Sequence, residues 1–126
     1  MIDPESLLYD LIDLSLEGEK GENLLREQFD VLILKEEHYT GSGVFYYFEI
    51  TEEQRKFRLH EKDRLHPYSA TPSVISNLEL INKELDLIAD VLLHIENGLL
   101  SYLEVWNKTG SDYPKAALLS YQLKRY

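Results

Sequence analysis

The chain has 126 residues, 14.8 kDa, no cysteine and a formal net charge of −10 from 13 basic and 23 acidic side chains. This size suits a single domain, 1–126, with a core that needs no staples. The lack of thiols excludes a disulfide scaffold, a thiol nucleophile and a thiolate metal site.

The acidity disfavours nucleic acid and anionic membranes as partners, and no apolar run is long enough to span a bilayer. The acidic residues 1–5 read as neither a signal nor a transit peptide, so a cytoplasmic location is expected. Asp3 and Pro4 suit the cap and first position of a helix, and Leu7, Leu8, Leu11, Ile12 and Ser15 recur at helical spacing up to Gly18. The spacing predicts an amphipathic helix over 4–17, with Asp10, Asp13 and Glu17 on its polar side. Leu24, Leu25, Gln28 and Phe29 predict a further short helical turn.

The period then changes. Residues 31–34 form a short apolar run, and residues 44–50 an aromatic and β-branched one. With Gly41 and Gly43 between them, they predict a hairpin with a loop longer than two residues. Val44, Tyr46, Phe48 and Ile50 share one face and Phe45 and Tyr47 the other, so this strand is expected to be covered on both sides. Residues 51–73 are polar and mixed in charge and are broken by Pro67 and Pro72; Phe57 and Leu59 could alternate in a short exposed strand.

Residues 74–106 carry two signals. Val74, Leu78, Ile81, Leu85, Ile88, Leu92 and Ile95 keep a helical spacing, yet Asn97-Gly98 separates two apolar runs and is the strongest short-range hairpin signal. The hairpin is preferred, with strands over 90–96 and 99–106. A strand over 78–87 precedes it, bending near Asn82 and Lys83. Leu119, Tyr121 and Leu123 alternate with polar residues as a last strand, a helix from Pro114 being the weaker option. The expected fold is α+β: an N-terminal amphipathic helix packed on a mainly antiparallel sheet of five or six strands.

Three segments, Tyr39-Thr40-Gly41-Ser42-Gly43-Val44-Phe45, Asn97-Gly98-Leu99-Leu100-Ser101-Tyr102-Leu103-Glu104 and Asp112-Tyr113-Pro114, resemble a group of small bacterial proteins. Some of that group are immunity proteins of contact-dependent or polymorphic toxin systems. Where the group carries a tryptophan before the proline, this chain has Tyr113. The resemblance implies strands over 88–106 and toxin neutralisation, and it implies no catalytic residue.

The candidate chemistry is sparse. His38, His60, His66 and His94 fall in no metal-ligand spacing; His60 and His66 flank Glu61 and Asp63 in a segment that reads as solvated surface. No nucleophile elbow or phosphate-cradling loop is present, and no cofactor is implied. With Glu96 opposite Leu99, an unbroken register sets Val91 opposite Glu104 and His94 opposite Ser101, beside Leu92 and Leu103. Ala89, Val91, Leu93, Ile95, Leu100, Tyr102, Glu104 and Trp106 then share one inward face. Glu104, its one charge, is expected to be partly buried with a hydrogen-bonding partner.

The acids are uneven along the chain: eleven against three bases over 1–37, seven against two over 76–112, and none against three bases over 113–126. Such a field suits a basic protein partner, although acidity also simply favours solubility. The leading expectation is a non-enzymatic immunity-like protein that masks a basic bacterial toxin. Its binding residues would be Glu104, Asp10, Asp13 and Glu17, and nine tyrosines and one tryptophan are available as interface anchors. A small enzyme or ligand-binding domain with Glu104 in a pocket, and a self-associating module or homodimer, are the alternatives.

Overall fold

Ser6, rather than Asp3, caps the first helix in the computed structural model, which describes residues 1–59, 72–116 and 118–126. The Ser6 hydroxyl accepts the Tyr9 amide at 3.1 Å, while Asp3 forms a turn one step earlier, its carbonyl accepting the Ser6 amide and its carboxylate the Glu5 amide. Helix α1 therefore spans Leu7–Leu16, shorter than the expected 4–17, and buries Leu8, Leu11, Ile12, Ser15 and Leu16. Helix α2 is Glu22–Asp30 and buries Leu25, Gln28 and Phe29. Its Arg26 ties the two helices together, donating to Glu22 at 2.6 Å and to Asp13 at 2.7 Å.

Val31 and Leu32 close the end of α2 by donating to Gln28 and Phe29, so strand β1 begins only at Ile33 and runs to Tyr39. The polar residues 35–38, which break the apolar run, are most of this edge strand. Strand β2 is Gly43–Glu49. Its first residue must be glycine, because a Cβ there would lie 1.8 Å from the Val105 carbonyl oxygen of the neighbouring strand. A short helix α3, Glu52–Arg55, capped by Thr51, was not foreseen. No strand forms at Phe57 and Leu59: Leu59 is buried and its amide donates to the Gly98 carbonyl at 3.2 Å.

Strands β3 (Ser73–Asn82), β4 (Leu87–Glu96), β5 (Leu99–Asn107) and β6 (Gln122–Arg125) complete one six-stranded antiparallel sheet in the order β1-β2-β5-β4-β3-β6. The turn at Asn97-Gly98 has φ of 52° and 75°, as the dipeptide foretold, and the β3–β4 turn starts at Asn82. Residues 118–121 are irregular, and the last strand starts at Gln122, three residues later than its first alternating leucine. The fold is the expected α+β arrangement. No helix among the described residues is long and apolar enough to cross a membrane.

All the helical packing is on one face. The core takes Leu11, Ile12 and Leu16 from α1, Leu25 and Phe29 from α2, and Val44, Tyr46, Leu80, Val91, Leu93, Leu103 and Val105 from the strands. Each such side chain, fully buried, contributes about 1.5–3 kcal/mol. Phe45 and Tyr47 are absent from this core and only half-buried, so β2 is covered on one side, not two.

The end of β5 is held in an unusual way. Beyond Tyr102 the neighbouring β2 gives out, and two side-chain amides take the place of its backbone. Gln28 accepts the Leu100 amide at 2.8 Å and Gln54 donates to the Leu100 carbonyl at 2.9 Å; both glutamines are fully buried. Gln28 also donates to the carbonyls of Phe57 and Gly98. Beside this plug the β4–β5 ladder carries a bulge: Ile95 pairs with Leu100, but His94 pairs with Tyr102.

Candidate functional site

The bulge decides which face carries Glu104. An unbroken register sets Glu104 opposite Val91, facing inward; the extra residue, Ser101, shifts it opposite Leu92, and Val105 takes the place facing Val91. Glu104 therefore lies on the outer face, and so do Tyr102, Trp106 and His94, which pairs with Tyr102 and not with Ser101. Leu103, expected beside His94, is in the core.

The outer face is aromatic at its centre. Phe45 and Tyr47 of β2 stack at 5.8 Å, and Tyr102 of β5 lies 6.2 Å from Phe45 and 5.7 Å from Tyr47. The His94 ring stacks on Tyr102 at 4.1 Å. Four side chains from three strands thus form one continuous row. Around it the face is more exposed, with Val74, Ile88 and Trp106 at 42%, 43% and 47%. Carboxylates border the row: Glu36 pairs with Tyr47 in register, Glu104 with Phe45, and Glu96 lies two residues from His94 on the same face. Burial, then the charges of Glu96 and Glu104, raise the Tyr102 phenol above its ordinary value.

Glu104 is partly buried, its side chain 27% exposed, but its partner is a loose one: the His94 Nε2 atom at 3.6 Å. A pair of this kind contributes little, so Glu104→Ala is expected to change unfolding free energy by less than about 1 kcal/mol in urea titration. The recess beside the row, about 210 Å³ between Pro72, Val74, His94, Glu96 and Tyr102, does not include Glu104.

At the far end of the same face a cation is already neutralised. Lys108 donates to Glu79 at 2.7 Å and lies 3.0 Å from Asp90, and the Tyr126 hydroxyl donates to Asp90. Hydrogen bonding from Lys108 holds Glu79 below the ordinary carboxylate value. Burial would raise Asp90, but the bonds from Tyr126 and Lys108 outweigh it and hold it low. Depressed carboxylates stabilise the fold above their ordinary values, and that contribution is lost as pH falls through their folded values. Lys108→Met is thus expected to cost about 0.2–1 kcal/mol at neutral pH and to converge with the parent in acid, as measured by urea unfolding across pH 2–7.

The other expected binding acids lie apart from Glu104, on α1. Asp10 accepts the Tyr121 hydroxyl at 2.5 Å, Asp13 the Arg26 guanidinium, and Glu17 that of Arg125 at 3.3 Å. Each is engaged within the chain, and none meets Glu104. The residues missed as a group are Phe45, Tyr47 and His94. Their signal was the period-two placing of Phe45 and Tyr47, misread as a second buried side. Among the described residues no three of His, Asp and Glu gather to hold a metal ion, and His60, Glu61, Asp63 and His66 lie outside them. Comparison of the chain with protein-family models, with curated proteins and with solved structures finds no match.

Proposed function

We propose that the chain is a non-enzymatic binding protein of the immunity type, which masks a basic bacterial toxin with the outer face of its sheet. The observation that carries this reading is the row Phe45, Tyr47, Tyr102 and His94, open on the sheet and bordered by Glu36, Glu96 and Glu104. Aromatic side chains give contact area at low entropic cost, and carboxylates around them select a basic partner. A net charge of −10 adds a long-range field that steers such a partner in. Asp10, Asp13 and Glu17 contribute to that field, but their internal bonds leave them poorly placed as direct contacts.

The test is capture from the native organism with the parent chain and with a Tyr102→Ser, Trp106→Ser double variant. The parent should retain a basic protein whose association rate falls steeply with salt, since screening shortens the field to about 8 Å at physiological ionic strength. The double variant should lose it, and co-expression of the parent should relieve that protein's toxicity. An acidic partner, binding indifferent to salt, or turnover of a small molecule in place of protein binding would overturn the reading.

A further inference from the structure

On the helical side of the sheet, away from the aromatic row, a recess of about 140 Å³ opens between the first turn of α1, the inner side of the β1–β2 hairpin and the loop after β5. Its polar lining is Ser6, Glu37, Tyr39, Tyr46 and Tyr113, and Leu8 is among its apolar walls. Tyr46 and Tyr113 are 94% and 96% buried as residues, at 6% and 4% exposure, and neither phenol has a hydrogen-bond partner among the described residues. Tyr39 donates to Glu37 at 3.2 Å, and its ring stacks on that of Tyr113 at 6.5 Å. Neither hydroxyl oxygen is sealed from solvent: both open on the recess, with their hydrogen-bonding capacity unspent on protein groups. Two such hydroxyls beside a carboxylate give the recess a polar floor that suits a hydrogen-bonding ligand.

The charge of that ligand follows from the walls. Among the described residues, Glu37 is the one formally charged residue of the lining. The positive end of the α1 dipole is already met by acids, with Asp10 in the first turn and Asp3 accepting the Glu5 amide ahead of it. Phenol oxygens keep lone pairs for an N–H donor. We propose that this recess binds an organic cation, the guanidinium or primary ammonium group of a small molecule or of an arginine or lysine side chain, with Glu37 as counter-ion and the Tyr46 and Tyr113 hydroxyls as acceptors. Burial raises both phenols, and so keeps them neutral at working pH. The site does not depend on the sheet face or on the proposed toxin partner.

The experiment is an NMR titration of the full chain with ethylguanidinium, propylammonium, neutral ethylurea, propionate and a capped Gly-Arg-Gly peptide. The cations should bind saturably and shift signals around Tyr46 and Tyr113, ethylurea at least tenfold more weakly and propionate not at all. Glu37→Gln, at an exposed position that keeps the fold, should weaken the cations at least tenfold; Tyr46→Phe should weaken them several-fold. Tighter binding of the peptide than of ethylguanidinium assigns the natural cation to a protein side chain, and the reverse assigns it to a free small molecule. No saturable cation binding, preference for propionate, or affinity unchanged in Glu37→Gln would overturn the proposal.

Discussion

Gly98→Val is expected to destabilise the protein by at least about 3 kcal/mol. Gly98 has a φ of 75°, a region that costs an L-residue about 1–2 kcal/mol and a β-branched one more. Space is the second objection: a Cβ at Gly98 would lie 2.3 Å from the carbonyl oxygen of Leu59, a backbone atom that cannot rotate away. Relieving that contact means moving residue 59 off the turn. It would break the bond from the Leu59 amide to the Gly98 carbonyl and disturb the one from Gln28 to the same oxygen, each worth about 1 kcal/mol net. The measurement is the urea midpoint at constant slope. A loss under about 1 kcal/mol would mean that neither the turn nor its contact with residue 59 is as described.

Gln28→Ala is expected to cost about 3–5 kcal/mol, although it removes no charge and little apolar area. The Gln28 amide group serves the Leu100 amide and the carbonyls of Phe57 and Gly98, and accepts from Gln54 at 3.3 Å. Deleting it strands the Leu100 amide and the Phe57 carbonyl, each costing about 1–3 kcal/mol, and leaves the Gly98 carbonyl with the Leu59 amide alone. Gln28→Glu separates the roles, since a carboxylate can still accept from Leu100 but cannot donate to the two carbonyls. Hydrogen exchange at the Leu100 amide is the local readout: it should be slow in the parent and fast in Gln28→Ala. Slow exchange in both would show that Leu100 is held by something else.

These two positions differ in how far the sequence discloses them. Asn97-Gly98 names its own turn, because the φ values that such a turn demands are ones that few residues tolerate. The first helix and the glycine-bounded β1–β2 hairpin were legible for similarly local reasons. Gln28 was legible only as a member of a helical face, among Leu24, Leu25 and Phe29; its partners are 26 to 72 residues away. The bulge at Ser101 belongs to the same long-range arrangement and leaves no local mark, and it moved Glu104 onto the outer face, beside His94, and Leu103 and Val105 into the core. The candidate site was misread for that one residue of register. Strand β1 was misplaced for another reason: an edge strand pairs on one side only, so Lys35, Glu36 and Glu37 keep their charges in water while their backbone joins the sheet.

The bonds from Tyr121 to Asp10 and from Arg125 to Glu17 join segments 111 and 108 residues apart. They clip the last strand to the first helix, which sets an order of events during folding. Hairpins β3–β4 and β4–β5 close over short loops and can form early, whereas β6 and its clip to α1 must wait until residue 125 has left the ribosome. Contacts made this late are expected to be absent from the transition state, and weakening them should then speed unfolding and leave the folding rate almost unchanged. The acids of α1 thus act as a latch on lifetime: Glu17→Gln and Asp10→Asn should steepen loss of the native state in stopped-flow unfolding without slowing its formation.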